Sequence, residues 1–298
     1  MTEPEAEYSS TVKSSPDVSE LITSISSPTV KLLLDEPEIV ASIETGYEKL
    51  LSVTRLGDEE IWTRGNDTVM NLYNLQGKML KSVLTKSGEW PHDIAVMQTG
   101  ELVYTDPNTR SVNVVRNELS EEVIKLEDWE PNGICITFSG ELLVTMFSDD
   151  AQSKTVRYSG STEKQTLQFD DQGKPYFSSG GLKHITESKN LDMIVSDYRA
   201  KAVFVFSTKG KLRFIYTGNP NVTEESFNPL DIATDSQCHI LIVDFIHNCI
   251  HILDQKGIFL RYLDSCDFKY PMGIFVDTKD YLYVAELAGR VKKIKYMQ

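Results

Sequence analysis

The hydrophobic and polar positions of this chain follow the pattern of β-strands. From about residue 50 onward, short runs of β-branched and aromatic residues alternate with polar turns that recur every eight to twelve residues. Short runs bounded by turn residues are typical of strands, whereas an amphipathic helix needs a longer segment with a period near 3.6 residues. The pattern therefore predicts an all-β chain with little helix.

A four-residue motif, Pro-x-[Asp/Gly]-Ile, recurs along the chain and opens a predicted strand each time. It occurs at 91–94, 131–134, 229–232 and 271–274, with a weaker copy at 182–185. The two pairs of adjacent full copies are 40 and 42 residues apart, and a polar turn and further strands follow each copy. Four antiparallel strands in about 40–45 residues form one blade of a β-propeller.

Six copies account for the chain from residue 50 onward and predict a six-bladed β-propeller. We place the blades at about 50–88, 89–129, 130–180, 181–226, 227–268 and 269–298. The last copy has room for only three strands, and an open sheet edge invites pairing. Residues 38–45 alternate in polarity and precede blade 1, so we expect them to complete blade 6 as a closing strand.

The first 29 residues differ in texture from the rest of the chain. They hold twelve Ser/Thr and five acids without a sustained hydrophobic period. Segments of this composition cannot bury enough apolar surface to fold. We therefore expect 1–29 to be a disordered Ser/Thr-rich acidic tail and 30–298 to form the propeller.

The composition disfavours several classes of protein. With 44 acidic and 30 basic residues, the chain carries a net charge of −14, which disfavours binding to nucleic acid through its phosphates. None of the four cysteines forms a C-x-x-C pair, which argues against a disulfide scaffold or a RING-type zinc module. The sequence shows neither an apolar leader nor a membrane span, so we expect a cytoplasmic protein without membrane contact.

Several segments resemble the NHL repeats of the tripartite-motif (TRIM-NHL) proteins, including the many copies found in bivalve molluscs. These segments are 60–64, 72–77, 93–96, 156–165, 210–214 and 249–255. The resemblance covers nearly 90% of the chain and implies a six-bladed propeller of the NHL or TolB-like type. Full-length relatives place a RING, B-boxes and a coiled coil before the propeller, which makes them ubiquitin ligases whose propeller recognises partners. The resemblance thus implies the recognition half of such a protein, with no ligase activity encoded in this chain.

Acidic residues recur where the first strand of a blade starts and where the second ends, two positions that should meet near the propeller axis. The acids at these positions are Asp93, Asp106, Asp197, Asp231, Asp244 and Glu286. A ring of carboxylates could bind Ca²⁺ and support a lactonase reaction of the gluconolactonase type. We favour the alternative that each strand-two acid caps the turn after it, because a repeated turn needs a repeated cap. Arg64 and Met146 occupy the same position in two blades and are useless to Ca²⁺.

A second pattern contains residue types that bind zinc: Cys238-His239 followed by His247-x-Cys249-x-His251. The last three residues alternate along one strand, whereas the first two belong to the turn and the start of the preceding strand. Because a buried cysteine usually acts as a small hydrophobic residue, the pattern favours a core position for Cys249 over a metal site. We accordingly expect no metal and no cofactor.

Four bulky residues come directly after the end of strand two in blades 3 to 6: Phe147, Tyr198, Phe245 and Leu287. Because successive blades are neighbours, we expect these side chains to form an arc on one face. Exposed aromatic side chains with a charged rim are typical anchors of protein partners. Arg64 and Arg199 fall near the same loops and complete the predicted partner-binding set, and the nearby acids favour a basic or amphipathic segment of the partner.

These observations favour a non-catalytic protein-interaction propeller that recognises a substrate or partner and is expected to be a monomer. The first alternative is the metal-dependent hydrolase already described. The second is an RNA-binding NHL domain, which would require the basic residues of one face to be segregated from its acids. The basic residues that fall near these loops are Arg64, Arg110, Arg199, Lys201 and Arg290.

Overall fold

The computed structural model describes residues 30–219 and 226–298, which form 24 β-strands. These strands make six sheets of four antiparallel strands each, and the six-bladed all-β propeller predicted from the repeat is confirmed. The predicted disordered tail, 1–29, lies outside the described residues. Within the described ranges, no helix is long and apolar enough to cross a membrane.

The strands follow one another blade by blade along the chain. Blade 1 comprises β2 (Leu50–Arg55), β3 (Glu60–Gly65), β4 (Val69–Asn74) and β5 (Met79–Leu84); blade 2 comprises β6 (Asp93–Val96), β7 (Leu102–Asp106), β8 (Ser111–Arg116) and β9 (Leu119–Lys125); blade 3 comprises β10 (Trp129–Ile136), β11 (Leu142–Ser148), β12 (Ser153–Ser159) and β13 (Thr162–Leu167). Blade 4 comprises β14 (Ile185–Glu187), β15 (Met193–Asp197), β16 (Ala202–Phe206) and β17 (Leu212–Tyr216); blade 5 comprises β18 (Pro229–Thr234), β19 (Ile240–Asp244), β20 (Cys249–Leu253) and β21 (Phe259–Leu263); blade 6 comprises β22 (Pro271–Val276), β23 (Tyr281–Glu286), β24 (Arg290–Met297) and β1 (Leu33–Glu44).

The closing strand β1 completes blade 6 from the other end of the folded chain. It pairs antiparallel with β24, so that the sheet order is β1-β24-β23-β22. Ile43 faces Val291 across the pair and is buried, which places the apolar side of β1 on the core. The strand begins at Leu33, five residues before the predicted start, because Leu33 also pairs with Met297 across an irregular register.

Hydrophobic side chains fill the spaces between blades. The described residues form six buried clusters, and each draws its residues from two consecutive blades, with blade 6 packed against blade 1. The first strand of each blade contacts the first strand of both neighbours, which closes the ring β2–β6–β10–β14–β18–β22. Burial between blades therefore holds the ring together, in keeping with roughly 25 cal/mol for each Å² of apolar surface buried.

Crowding at the axis explains why glycine alternates with aspartate in the repeat motif. A Cβ atom added at Gly133 would lie 2.5 Å from the carbonyl oxygen of Lys183 in the next blade. One added at Gly273 would lie 2.8 Å from the carbonyl oxygen of Leu51 in blade 1. Contacts this short with backbone atoms cannot be relieved by a side-chain movement, so these two positions of the inner ring need glycine.

Candidate functional site

The start of strand one and the end of strand two lie side by side in each blade, on the side of the propeller that we call the top face. In blades 3, 5 and 6 the proline of the repeat motif pairs directly with one residue of strand two. That residue is an acid in blades 5 and 6 and a methionine in blade 3. These pairs are Pro131 with Met146, Pro229 with Asp244, and Pro271 with Glu286. The two sets of residues that the repeat analysis superimposed are therefore neighbours in the structure.

The acids at the ends of strand two are buried and already have partners. Asp197 accepts a hydrogen bond from the backbone N–H of Ser178 at 2.7 Å and lies 3.5 Å from Nζ of Lys183. Glu286 accepts one from a backbone N–H of the preceding loop at 2.7 Å, and Nζ of Lys292 lies 2.9 Å away. Both carboxylates are almost inaccessible, so they cannot present a negative charge to a partner at the surface.

The other two strand-two acids are bound in the same manner. Asp106 accepts a bond from the backbone N–H of Thr109 at 3.2 Å, in the turn that follows it. Asp244 meets two imidazoles, with Nδ1 of His247 at 2.8 Å and Nε2 of His251 at 3.3 Å from the same oxygen. The bond to Thr109 is the turn cap expected at this position, and Asp197 makes the same kind of bond to the N–H of Ala200, whereas Asp244 contacts imidazole side chains.

Asp93 and Asp231 start strand one of their blades and join each blade to the next. One oxygen of Asp93 accepts a bond from the N–H of the following residue, and the other from Ile134 N in blade 3 at 3.0 Å. Asp231 repeats this arrangement, with Ile274 N in blade 6 at 2.9 Å. Ile134 and Ile274, whose N–H groups donate these bonds, directly follow the motif glycines of blades 3 and 6. An aspartate in one blade thus bonds to the strand next to the glycine of the following blade.

Five ionisable side chains close the axis at the top face, and we call them the axial cluster: Arg64, His92, Asp93, His184 and Asp231. Nδ1 of His184 lies 3.5 Å from a carboxylate oxygen of Asp231 and 3.9 Å from one of Asp93. Burial lowers the pKa of His92 to about 4 and raises that of Asp231 to about 6. Burial also lowers the pKa of Arg64. The negative charges of Asp93 and Asp231 act in the opposite direction and raise that pKa.

Three nitrogen atoms of the axial cluster make no hydrogen bond within the described part of the chain. They are Nε of Arg64, Nδ1 of His92 and Nδ1 of His184, and Nδ2 of nearby Asn132 shares this property. Buried polar atoms without partners are costly, and they concentrate at sites where strain or chemistry is useful. The cluster therefore contains groups suited to acid–base chemistry.

The acids predicted as a Ca²⁺ ring do not form a common ligand set. Ca²⁺ takes six to eight oxygen ligands, whereas Asp93 and Asp231 accept backbone bonds and the strand-two acids lie in their own turns. Among the described residues, one group of three has ligand atoms within 4.8 Å of one another: Asp244, Cys249 and His251. The residues present on the axis thus do not fit a calcium ion.

A channel of about 320 Å³ runs along the axis between the inner strands. Its walls are mainly apolar, with Val53, Ile134 and Ile232 among them, and Asp93 and Asp231 lie at one end. Asp93 and Asp231 accept the hydrogen bonds that join neighbouring blades. Further charged residues line the channel, among them Glu187, Lys189 and Asp277.

The four residues of the predicted arc are all half-buried at the top face. Tyr198 and Phe245 pack against the same buried cluster, which lies between blades 5 and 6. Leu287 follows the end of β23 in blade 6, whereas Phe147 lies within β11 in blade 3, because that strand continues to Ser148. Tyr198 and Phe245, the middle two residues of the arc, therefore share one core cluster.

Tyr270 is a prominent aromatic residue of this face that the sequence analysis missed. Its ring lies 5.7 Å from that of Phe245, it is 55% exposed, and its backbone has a φ of 52°. The left-handed conformation is uncommon for a bulky residue, and two backbone hydrogen bonds hold it, one to Oδ1 of Asn248 and one from Leu287 N. Leu182 makes the equivalent backbone contact in blade 4, where its carbonyl accepts a bond from Tyr198 N, and it is 41% exposed.

A signal in the sequence could have located these residues. Tyr270 and Trp90 both directly precede the proline of the repeat motif, and Leu182 stands at the first position of its weaker copy. All three are large apolar residues exposed by 40% or more, as is Ile246 in the turn after Phe245. In the other two full copies the residue before the proline is polar, Glu130 in blade 3 and the buried Asn228 in blade 5, so the signal marks only part of the rim of the top face.

The two arginines predicted to contact a partner occupy different environments. Arg64 is buried in the axial cluster, whereas Arg199 is exposed and donates a hydrogen bond to the carbonyl of Ser179 at 2.8 Å. Arg110 and Arg290 pair with Asp149 and Glu44, respectively. Basic residues on this face are therefore interspersed with acids, which gives no support to RNA binding.

The zinc-type residues of blade 5 separate into two groups. His239 pairs with Asp235 at 2.8 Å, in the turn that connects β18 to β19. Cys249 and His251 instead lie on β20, with their side chains buried. The complete five-residue pattern does not meet at one point, but two of its residues, Cys249 and His251, lie close together with Asp244.

Comparisons with known proteins bear on the fold. No family model matches the chain, and no curated protein matches it. Among solved structures, virginiamycin B lyase from Staphylococcus aureus is 15% identical, with 87% of this chain and 99% of that chain covered and a TM-score of 0.62. The calcium-binding protein regucalcin from Agrobacterium tumefaciens is 10% identical, covering 87% of this chain and 94% of its own, with a TM-score of 0.68.

A third similar structure is the WD40 β-propeller domain of Doa1, at 8% identity, 88% and 98% coverage, and a TM-score of 0.61. Two of these three proteins are thus named for an activity or a ligand, and one for its fold. At identities this low the likeness establishes the propeller architecture alone.

Proposed function

We propose that this chain is a non-catalytic interaction module that binds a protein partner on its top face. The contact surface consists of Leu182, Tyr198, Phe245 and Tyr270, which we call the aromatic patch. The observation that carries the proposal is the conformation of Tyr270, whose ring is more than half exposed while its backbone is fixed in the left-handed region. Backbone strain of this kind is typical of ligand-binding positions.

The patch has the physical properties of a binding hot spot. Tyr198 and Phe245 are half-buried against the core, so little side-chain freedom remains to be lost when a partner binds. Aromatic residues in such rigid positions dominate interface energetics. The four residues belong to blades 4, 5 and 6, and they therefore form a continuous stretch of the rim.

The charge of the chain favours a basic or amphipathic segment as the occupant. The net charge of −14 attracts a basic partner over a long range and raises the rate of encounter. Asp197, Asp244 and Glu286 contribute little to local complementarity because they are buried and paired. The apolar side of an amphipathic segment would accordingly supply most of the affinity.

The resemblance to TRIM-NHL propellers supports a substrate-recognition role in the ubiquitin pathway. In those proteins the propeller recognises partners for a ligase whose RING lies elsewhere in the chain. This chain would then act as the recognition part, and the proposal assigns it no ligase activity of its own.

A capture experiment with single-residue variants tests the proposal. The recombinant chain is used as bait, and proteins that it retains are identified and then titrated against Tyr270→Ala, Tyr198→Ala and the control Ile258→Ala. Ile258 is 59% exposed but lies in the outer hairpin of blade 5, away from the top face. We expect loss of about 2 kcal/mol, roughly 30-fold in affinity, for each patch variant and no change for the control. Equal binding by all three variants would contradict the proposal.

A second candidate function rests on the axial cluster. The lowered pKa of His92 and the raised pKa of Asp231 are typical of an acid–base site, as is the nitrogen of His184 that makes no hydrogen bond among the described residues. A histidine-to-alanine variant of the Staphylococcus aureus virginiamycin B lyase is described as catalytically inactive, and that protein shares this fold at 16% identity. A lyase or hydrolase reaction with His184 as the base is therefore the alternative function.

Turnover measurements distinguish this alternative from the binding module. A streptogramin B and a simple sugar lactone are incubated with the wild-type chain and with His184→Gln, each with and without Ca²⁺. Product formation by the wild type that the variant lacks would favour the enzyme. Equal background rates with both proteins would leave the interaction module as the function of the top face.

A further inference from the structure

Three side chains of blade 5 converge because of the register between its second and third strands. Asp244 ends β19 and lies directly opposite Cys249, the first residue of β20. His251 follows Cys249 by two positions, and alternate residues of a strand point to the same side of the sheet. Asp244, Cys249 and His251 therefore project from the same side as close neighbours, and all three are buried.

The distances among these groups are those of ligands around one metal ion. The carboxylate oxygen, thiol sulfur and imidazole nitrogen all lie within 4.8 Å of one another, and Oδ2 of Asp244 is 3.3 Å from Nε2 of His251. Two ligand atoms each about 2.0–2.1 Å from a tetrahedral zinc ion lie about 3.3–3.4 Å apart. The observed separation of oxygen and nitrogen thus needs almost no adjustment.

Nε2 of His251 lies 3.3 Å from Oδ2 of Asp244, and Nδ1 of the same ring lies 2.9 Å from the hydroxyl of Tyr216. In one tautomer Nδ1 accepts from Tyr216 and Nε2–H points to the carboxylate; in the other Nδ1–H donates to Tyr216 and Nε2 presents a lone pair. The second tautomer is the one that can ligate a metal ion, with Nε2 and Oδ2 of Asp244 as neighbouring ligand atoms.

The surroundings of the cluster fix its geometry. The rings of Phe227, Phe259 and Tyr262 lie 4.9, 6.0 and 4.7 Å from that of His251, which holds the imidazole in one orientation. His247 places Nδ1 2.8 Å from the same oxygen of Asp244 and helps to hold the carboxylate in place. Ligands that are oriented by outer partners in this way are a general feature of metal sites.

We propose that Asp244, Cys249 and His251 bind one zinc ion, with a water molecule at the fourth position. The donor set of one oxygen, one sulfur and one nitrogen suits a borderline cation such as Zn²⁺ and does not suit Ca²⁺ or Mg²⁺, which prefer oxygen alone. The ion would join the end of β19 to the start of β20 behind the top face. Its role would be to stabilise blade 5, and it is independent of the partner-binding proposal.

Metal titration of the whole chain tests this site. The protein is stripped with a chelator and titrated with Zn²⁺ against a chromophoric competitor. We expect one ion per chain. Loss of a residue that only orients a ligand weakens metal binding by about 10–100-fold, and we expect His251→Gln and Asp244→Asn to weaken it by more than that. Cys238→Ser and His239→Gln are matched controls, because both residues belong to the same sequence pattern but lie outside the cluster. Their affinity should equal that of the wild type.

Cobalt substitution provides a readout that does not depend on the stability of the charged variants. With Co²⁺ bound, the wild-type chain should show a thiolate-to-metal absorption band in the near ultraviolet, and Cys249→Ala should lose it while keeping the far-ultraviolet circular dichroism of the folded chain. Failure of the wild type to bind Zn²⁺, or an unchanged cobalt spectrum in Cys249→Ala, would overturn the proposal. Loss of binding in Cys238→Ser or His239→Gln equal to that in His251→Gln would also overturn it.

Discussion

The hydroxyl of Thr145, in the second strand of blade 3, donates a hydrogen bond to the carbonyl oxygen of Lys183 in blade 4 at 2.7 Å. The hydroxyl oxygen of Thr145 in turn accepts a bond from the backbone N–H of Gly133 in its own blade at 2.8 Å. Thr105 in blade 2 makes the equivalent pair of contacts, and Ser196 in blade 4 bonds the carbonyl of Leu230 in blade 5. A single hydroxyl at the same position of strand two therefore joins the inner strand of its own blade to that of the next.

Replacing Thr145 by valine should destabilise the propeller, because it removes this hydroxyl while preserving the shape of the side chain. The change leaves a buried N–H and a buried carbonyl group without a partner, which together cost about 2–4 kcal/mol in the free energy of unfolding. Thr155 is a matched control, since its hydroxyl is equally buried but makes no hydrogen bond among the described residues. Urea unfolding should show Thr155→Val to be neutral or more stable than the wild type. Similar losses in both variants would argue against the inter-blade bond.

Gly133→Ala should destabilise the protein because of the approach of blade 4. The added Cβ would lie 2.5 Å from the carbonyl oxygen of Lys183 and 2.9 Å from Cα of His184, and both neighbours are backbone atoms. Overpacking of this kind costs about 1–3 kcal/mol. Gly57→Ala is the control, because nothing lies within 4 Å of its added Cβ and its φ is not positive. A thermal unfolding midpoint of Gly133→Ala as high as that of Gly57→Ala would contradict the close packing of the inner ring.

The repeat was sufficient to predict the fold because the same residue types mark the same strands and turns in successive blades. The Pro-x-[Asp/Gly]-Ile motif marks strand one, and the crowding at Gly133 and Gly273 explains its alternation in physical terms. The alternation of residues 38–45 also predicted a strand that now pairs with β24. These features depend on local periodicity, which a single sequence displays directly.

The candidate sites were less predictable because they depend on pairing between strands. The zinc pattern was analysed along one strand, which missed Asp244, although it lies opposite Cys249 once the turn between β19 and β20 closes. The exposure of Tyr270 follows from a left-handed backbone that no periodicity reveals. Lys183 and Lys292, which neutralise two buried acids, likewise reach them only in the folded structure.

Closure by β1 can be tested with two substitutions on the same strand. Ile43 is 1% exposed and packs in the cluster between blades 6 and 1, whereas Val40 is 42% exposed. Ile43→Ala should lower the free energy of unfolding by about 2–4 kcal/mol, and Val40→Ala by less than about 0.5 kcal/mol. Chemical denaturation of both variants provides the measurement. If the two substitutions had the same small effect, β1 would not be a stable part of blade 6.

The raised pKa of Asp231 predicts that this residue makes stability fall as the pH increases from about 4 to about 6. Burial raises its pKa from 3.8 to about 6, so the folded chain holds the proton more tightly than the unfolded chain does. The stabilisation is complete below the unfolded pKa and is lost as the pH rises through the folded one, an effect of about 3 kcal/mol. His92 acts in the opposite direction, because its pKa is lowered to about 4 and protonation during acidification opposes folding.

The difference in unfolding free energy between the wild type and Asp231→Asn isolates the carboxylate, and we expect that difference to change between about pH 4 and about pH 6. Asp171→Asn, which removes an exposed acid, should keep the pH profile of the wild type, and an identical profile for Asp231→Asn would show that Asp231 ionises normally in the folded chain.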